Sequence, residues 1–315
     1  MFQIKSKLLK TSVACTLAFA ACVSHAADKP LKSIGITVGS LGNPYFVTIV
    51  KGAEAEAKAL NPNAKVTSVS ADYDLNKQFT QIDNFISAHV DLILLNAADP
   101  KAIEPAVKKA QAAGIPVIAV DVAAAGADAT VQTDNVKAGA ISCEYLAKKL
   151  GNKGNVVIEN GPQVSAVIDR VNGCKTVLAK NSGIKVLSAD QDGKGSREGG
   201  MGAMQGYLTR FPKLDGVFTI NDPQAIGSDL AAKQFNRSGI VITSVDGAPD
   251  IEVALKSNTL VQASASQDPF AMAKKAVTIG YGIMNGKKPA NPMILLDPML
   301  VTRENVNSYK GWSSH

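Results

Sequence analysis

The sequence predicts an α/β protein built as two doubly wound parallel-sheet lobes. Three observations carry this. Short apolar runs alternate with stretches whose apolar residues fall at helical spacing. The runs are continuous rather than alternating, as parallel strands buried on both faces read. The alternation also begins afresh near residue 141, so the 289 residues from 27 to 315 hold two similar series.

In the first series, strands are expected at Ser33–Val38, Lys65–Ser70, Asp91–Asn96 and Ile115–Val120. Between them lie Phe46, Ile49, Val50, Ala53, Ala57 and Leu60, then Phe79, Ile82, Phe85 and Ile86, then Ile103, Ala106, Val107 and Ala110, each set on one helix face, with Gly114 as a helix stop. In the second series the helix face Ile141, Tyr145, Leu146 and Leu150 precedes a strand at Asn155–Glu159. Val167, Val171, Cys174 and Leu178 mark the next helix, and Ile184–Ser188 the next strand. A helix reaching about Arg210, a strand at Gly216–Ile220, a helix at Pro223–Phe235 and a strand at Ile240–Ser244 complete it.

The first 26 residues read as an export signal. Lys5, Lys7 and Lys10 precede a 13-residue apolar run, Thr11 to Val23, and Ser24-His25-Ala26 offers small residues at −3 and −1 of a cut before Ala27. The run is short for a bilayer span, which needs about 20 residues. Ala20-Ala21-Cys22 offers a lipidation site as an alternative, with Phe19 where a smaller aliphatic is usual. Without the three signal lysines, 30 basic residues face 27 acidic ones and no basic stripe stands out, so nucleic acid is a poor partner.

After the signal two cysteines remain, Cys143 and Cys174. Their helices flank the strand Asn155–Glu159, and an oxidising compartment lets a bridge persist, so a disulfide is expected, with two buried thiols as the alternative. With only His89 and His315 beside them, no zinc site is expected.

Open α/β sheets hold ligands outside the carboxyl ends of their strands. Here those ends carry Asn43, Tyr45 and Phe46, then Asp121, then Asn221-Asp222, then Asp246-Gly247, while Arg170 follows Gly161 on a helix and Gln267 precedes Asp268-Pro269. Singly, Asn, Asp and Ser at strand ends are turn formers or N-caps. Together they suit a hydroxylated ligand: carboxylate and guanidinium give charge-assisted hydrogen bonds, and aromatic faces cover C–H surfaces.

The chain resembles the ribose-type family of periplasmic sugar-binding proteins over essentially all of its sequence after the signal. The carrying motifs are Gly42-Asn43-Pro44-Tyr45-Phe46, Thr133-Asp134-Asn135 with Ala138-Gly139, Asp169-Arg170 with Gly173, Asn221-Asp222, Val245-Asp246-Gly247-Ala248-Pro249-Asp250, and Gln267-Asp268-Pro269. The resemblance implies the type I periplasmic binding protein architecture, with lobes 27–133 plus 268–297 and 134–267 plus 298–315. Three crossings, near Thr133–Asn135, Ser266–Asp268 and Asp297–Pro298, would join them as a hinge. It also implies a cleft lined by Asn43, Tyr45, Phe46, Asp121, Arg170, Asn221, Asp246 and Gln267. A small sugar or polyol ligand, an inner-membrane permease of an ABC importer, a periplasmic location and a monomer follow as expectations. No catalytic residue, cofactor or metal is implied.

Two departures bear on the ligand. Val122 stands where ribose binders often carry arginine, and no aromatic wall precedes Arg197 in Gly193-Lys194-Gly195-Ser196. Among competing readings, an enzyme lacks support: Gly35, Gly39 and Gly42 are not a dinucleotide fingerprint, no G-x-S-x-G elbow exists, and no histidine is placed for acid–base work. A related repressor would need an N-terminal helix-turn-helix in place of the signal. A protein feeding a chemoreceptor or sensor kinase is the remaining alternative.

Overall fold

The structure is a computed structural model that describes Phe2 and residues 28–312. The export segment expected over residues 1–26, with its cut before Ala27 and the alternative at Cys22, lies outside the described residues, apart from Phe2.

The first lobe runs β1 (Ser33–Val38), α1 (Pro44–Leu60), β2 (Lys65–Ser70), α2 (Leu75–Ser87), β3 (Leu92–Leu95), α3 (Glu104–Ala112), β4 (Val117–Val120) and β5 (Ala129–Thr133). The chain then builds α4 (Asn135–Lys149), β6 (Lys153–Glu159), α5 (Ser165–Ala179), β7 (Gly183–Ser188), α6 (Arg197–Arg210), β8 (Gly216–Thr219), α7 (Asp222–Gln234), β9 (Val241–Asp246), α8 (Pro249–Lys256) and β10 (Val261–Ser266). It ends on α9 (Pro269–Met284), β11 (Met293–Leu296) and β12 (Met299–Thr302).

Two six-stranded sheets result, ordered β11-β5-β4-β3-β1-β2 and β12-β10-β9-β8-β6-β7. The two orders are equivalent position by position, so the second series repeats the winding of the first. All pairings are parallel except β10–β12. In each sheet the order reverses beside the first strand, between β1 and β3 and between β6 and β8. Those are the switch points where crevices open. The chain passes between sheets after β5, after β10 and between β11 and β12.

The central strands β3, β4 and β8 are buried at every residue, which explains their apolar runs. Three differences from the sequence reading have physical causes. β5, with the sequence ATVQT, is fully buried yet carries three polar residues, so an apolar-run reading passes over it. β10 is an inner strand made largely of Gln, Ser and Ala, and β11 and β12 are four-residue, partly exposed edge strands, so such a reading passes over these as well. β9 extends to Asp246, two residues past the expected end, because its ladder with β10 continues through Ser266↔Asp246.

Cys143 and Cys174 form a disulfide with a Cα–Cα distance of 5.1 Å, joining α4 to α5. The two helices pack backbone to backbone. A Cβ on Gly139 would lie 2.0 Å from Arg170 O, and one on Gly173 would lie 2.1 Å from Val136 O. Beneath the second lobe's loops, Glu159 is fully buried and accepts hydrogen bonds from Ser228 Oγ at 2.7 Å and Gln224 Nε2 at 2.9 Å. Burial pushes its carboxyl up to about 8, against the opposing pull of those two donors.

Two outcomes are expected. Replacing both cysteines by alanine removes a cross-link across 31 residues, worth about 3 to 4 kcal/mol in the chain-entropy picture. Urea unfolding should show that loss as a lower midpoint at unchanged slope, and a loss under about 1 kcal/mol would refute it. For Glu159 the folded pKa lies above the unfolded one. Its contribution is therefore complete below the usual Glu range and is lost as pH rises toward 8. Glu159→Gln keeps the shape without the charge. Its melting temperature should fall less between pH 5 and pH 8.5 than the parent's, and parallel curves would show that Glu159 does not set this dependence.

Candidate ligand site

The carboxyl ends of both sheets face each other, and the eight residues expected at a cleft come together there. Asn43 and Asn221 are also helix N-caps: Asn43 Oδ1 accepts from Tyr45 N at 3.0 Å, and Asn221 Oδ1 accepts from Gln224 N at 3.1 Å. The capping role read as the bland alternative is therefore real, and both residues still line the cavity with their remaining atoms.

A continuous polar relay runs between the lobes. Gly39 N donates to Asn96 Oδ1 at 3.0 Å, and Asn96 Nδ2 donates to Asp121 Oδ2 at 2.8 Å. Tyr45 Oη donates to Asp121 Oδ1 at 2.8 Å and lies 3.3 Å from Gln267 Oε1. Gln267 Nε2 donates to Asp246 Oδ1 at 2.7 Å. Arg170 Nη1 reaches the same oxygen at 3.4 Å and donates to Ile220 O at 2.8 Å, while Arg170 Nε donates to Asn135 Oδ1 at 2.8 Å. Arg170 thus ties its helix to a strand end and faces the cavity as well.

These groups are desolvated: Asp121, Arg170 and Asp246 are each 6% exposed or less. Burial raises the Asp121 carboxyl, and the Arg170 guanidinium pulls it back. Asp246 is pushed up to about 6 by burial, again against Arg170, with Asp121 adding to the rise. Both aspartates sit in the positive-φ region, Asp121 at 69° and Asp246 at 135°. Such conformations cost roughly 1–3 kcal/mol each and collect at ligand sites.

The inner cavity is about 40 Å³ and is lined by all eight expected residues together with Tyr73, Asn96, Val122 and Gly195. Phe46 is a buried wall rather than an open platform, edge-on to Tyr45 at 5.5 Å and to Tyr73 at 6.5 Å.

Two aromatic residues escaped the sequence reading. Tyr73 follows β2 with φ 57°, after Asp72 at 53°. This double left-handed turn swings the ring over Gly39, where a Cβ would sit 2.7 Å from Tyr73 Cε1. Positive φ at a bulky residue is an outlier that only structure reveals. Tyr73 also stands across from Gly195, in the stretch where no aromatic wall was expected from the sequence. Trp312, ten residues past β12, packs edge-on to Tyr45 at 5.5 Å, and its Nε1 donates to Asp246 O at 3.1 Å. Its only sequence signal is being the single tryptophan.

No group of metal-binding side chains and no helix long and apolar enough to cross a membrane occurs among the described residues.

Comparison with known proteins places this geometry. A family model described as periplasmic binding protein domain matches residues 34–288. A ribose import binding protein from Bacillus subtilis (strain 168) is 34% identical over 271 residues, covering 84% of this chain and 86% of that protein. A xylitol-binding protein from Mycolicibacterium smegmatis is 32% identical over 287 residues, covering 90% of this chain and 80% of that protein. An ABC transporter solute-binding protein from Bacillus halodurans, solved with bound myo-inositol, superposes with a TM-score of 0.82 at 26% identity, covering 92% of this chain and 100% of that one. One from Actinobacillus succinogenes with bound D-allose gives 0.81 at 27% identity, covering 88% and 100%. The chain belongs to the periplasmic binding protein domain family, a family of solute-binding components of ABC importers with the type I two-lobed fold.

Proposed function

We propose that this chain binds a small neutral sugar, a pentose or hexose, or a polyol in the cleft between its lobes and delivers it to an inner-membrane permease. The observation that carries the reading is the run of buried polar contacts from Asn96 to Arg170, which passes from one lobe to the other between Tyr45 and Gln267 beside a cavity. Relatives bind ribose, xylitol, myo-inositol and D-allose, all neutral and hydroxylated.

In this reading Asp121 and Asp246 accept hydroxyl protons, Arg170 and Asn43 donate to ligand oxygens, and Asn221 and Gln267 complete the shell. Asn43 Nδ2, Tyr73 Oη and Arg170 Nη2 have no hydrogen-bond partner among the described residues, which suits them to a ligand. Tyr45 and Phe46 cover its C–H surface. Val122 presents an apolar wall where ribose binders often carry arginine, so ribose itself is not the assured cargo.

The lobes comprise 27–133 plus 268–297 and 134–267 plus 298–315, and the three passages between sheets serve as a hinge that closes on the ligand as a monomer. Residues 1–26 direct export and are cleaved near Ala26, giving a periplasmic protein.

Calorimetry of the exported protein against ribose, arabinose, galactose, allose, xylitol and myo-inositol tests the reading. At least one should bind, and small-angle scattering should then show a smaller radius of gyration. Asp121→Asn is the discriminating variant, because asparagine tolerates positive φ and keeps the volume. It should weaken binding about 30-fold or more, in line with roughly 2–5 kcal/mol for truncating one partner of a buried charged pair. Unchanged affinity would remove Asp121 from the ligand shell, and no binding across the panel would refute the sugar reading.

A further inference from the structure

The cleft holds two connected chambers, and a single sugar unit at the charged residues would fill the inner one and only the nearest part of the outer. Beyond the inner cavity of about 40 Å³ lies an outer one of about 670 Å³. Asn43, Tyr73, Gly195 and Asp246 line both, so they border the passage between them. At Gly195 the passage is widened by a missing side chain: from the position of a Cβ there, Asn221 Nδ2 is 3.5 Å and Tyr73 Oη 3.8 Å away.

Single ligand pockets commonly span about 300–1,000 Å³, so the outer chamber alone has the room of a binding site. Both lobes form it: Ser40, Asp72 and Tyr73 from one, Arg197 and Ile226 from the other. Its chemistry is that of a hydroxylated, uncharged guest. Tyr73 and Trp312 give ring surface, and Pro44, Pro223 and Pro249 give further apolar wall. The charges are of both signs and partly spent on each other, with Asp72 held by Lys77 at 2.5 Å and Arg197 by Asp250 at 2.7 Å. Lys194 and Glu198 both belong to the lining, which therefore carries charges of both signs rather than a cationic cluster suited to a phosphate or carboxylate.

We infer that the outer chamber is a second subsite and that the preferred ligand is a glycoside: a sugar or polyol head held by Asp121, Asp246 and Arg170, with a second glycosyl unit passing Gly195 into the space between Ser40 and Ile226. This rests on the sugar-binding reading above and extends it from a monosaccharide to a two-unit ligand.

Calorimetry tests it by pairing each parent with its extended form. Galactose, sorbitol and myo-inositol are compared with their methyl glycosides or ethers and, in the same order, with melibiose and lactose, with maltitol and with galactosyl-inositol. At least one two-unit ligand should bind tenfold or more tightly than its parent. Ser40→Trp and Ile226→Trp fill the outer chamber from opposite lobes. Each should weaken the two-unit ligand at least tenfold, leave any parent's affinity within twofold and keep the melting temperature within a few degrees. Parents that bind as tightly as every extended form, or tryptophan variants that leave two-unit binding unchanged, would overturn the second subsite while leaving the sugar reading intact. Binding of neither parents nor extended forms would overturn the sugar reading itself.

Discussion

Two carboxylates and one guanidinium, all out of water, set the terms for the rest of this molecule. Asp121 follows the end of a strand of one sheet and Asp246 ends a strand of the other, and the Arg170 guanidinium acts on both as a counter-charge. An ion pair removed from water does not repay its desolvation unless its other hydrogen bonds are met. The surrounding groups meet them: Asn96 and Tyr45 serve Asp121, and Gln267 serves Asp246. Each carboxylate is served from its own lobe, and the two shells meet where Tyr45 Oη lies 3.3 Å from Gln267 Oε1.

Holding such groups requires a backbone that does not relax. The aspartates are fixed in positive-φ conformations at strand ends, and the strands behind them are buried, β4 throughout and β9 at all but its first residue. Arg170 is fixed differently, through its helix. The close contact of α4 and α5 at Gly139 and Gly173, with the Cys143–Cys174 bridge on the same helix pair, sets the distance from Arg170 to Asn135. The two glycines and two cysteines are thus one device: the former let the backbones approach and the latter hold them there.

What was legible in the sequence follows from how each part is encoded. The central strands announce themselves because β3, β4 and β8 are apolar and buried on both sides. β5 and β10 are as deeply placed but made of Thr, Gln, Ser and Ala, so their burial is a tertiary fact with no local pattern. Asn43, Asp121, Arg170, Asn221, Asp246 and Gln267 were legible as polar residues at strand ends and in motifs of fixed order. Tyr73 and Trp312 were not: one depends on two consecutive left-handed residues, the other on a tail folding back onto α1 and β9. The disulfide was legible because helical spacing and strand order place both cysteines on neighbouring helices.

The charge count also restricts the ligand. Two carboxylates, Asp121 and Asp246, face one guanidinium at the cavity, and burial pushes both of them up against its pull. Val122 adds no second cation at the wall. An anionic ligand such as a sugar acid would bring a third negative charge into a desolvated space, where repulsion is poorly screened. A neutral polyol would instead bring hydroxyl donors to the carboxylates, and in the proposed reading its oxygens would accept from Arg170, Asn43 and Tyr73. In the proposed reading, a preference for uncharged, donor-rich ligands follows from this pairing of carboxylates and guanidinium, before any shape of the cavity is considered.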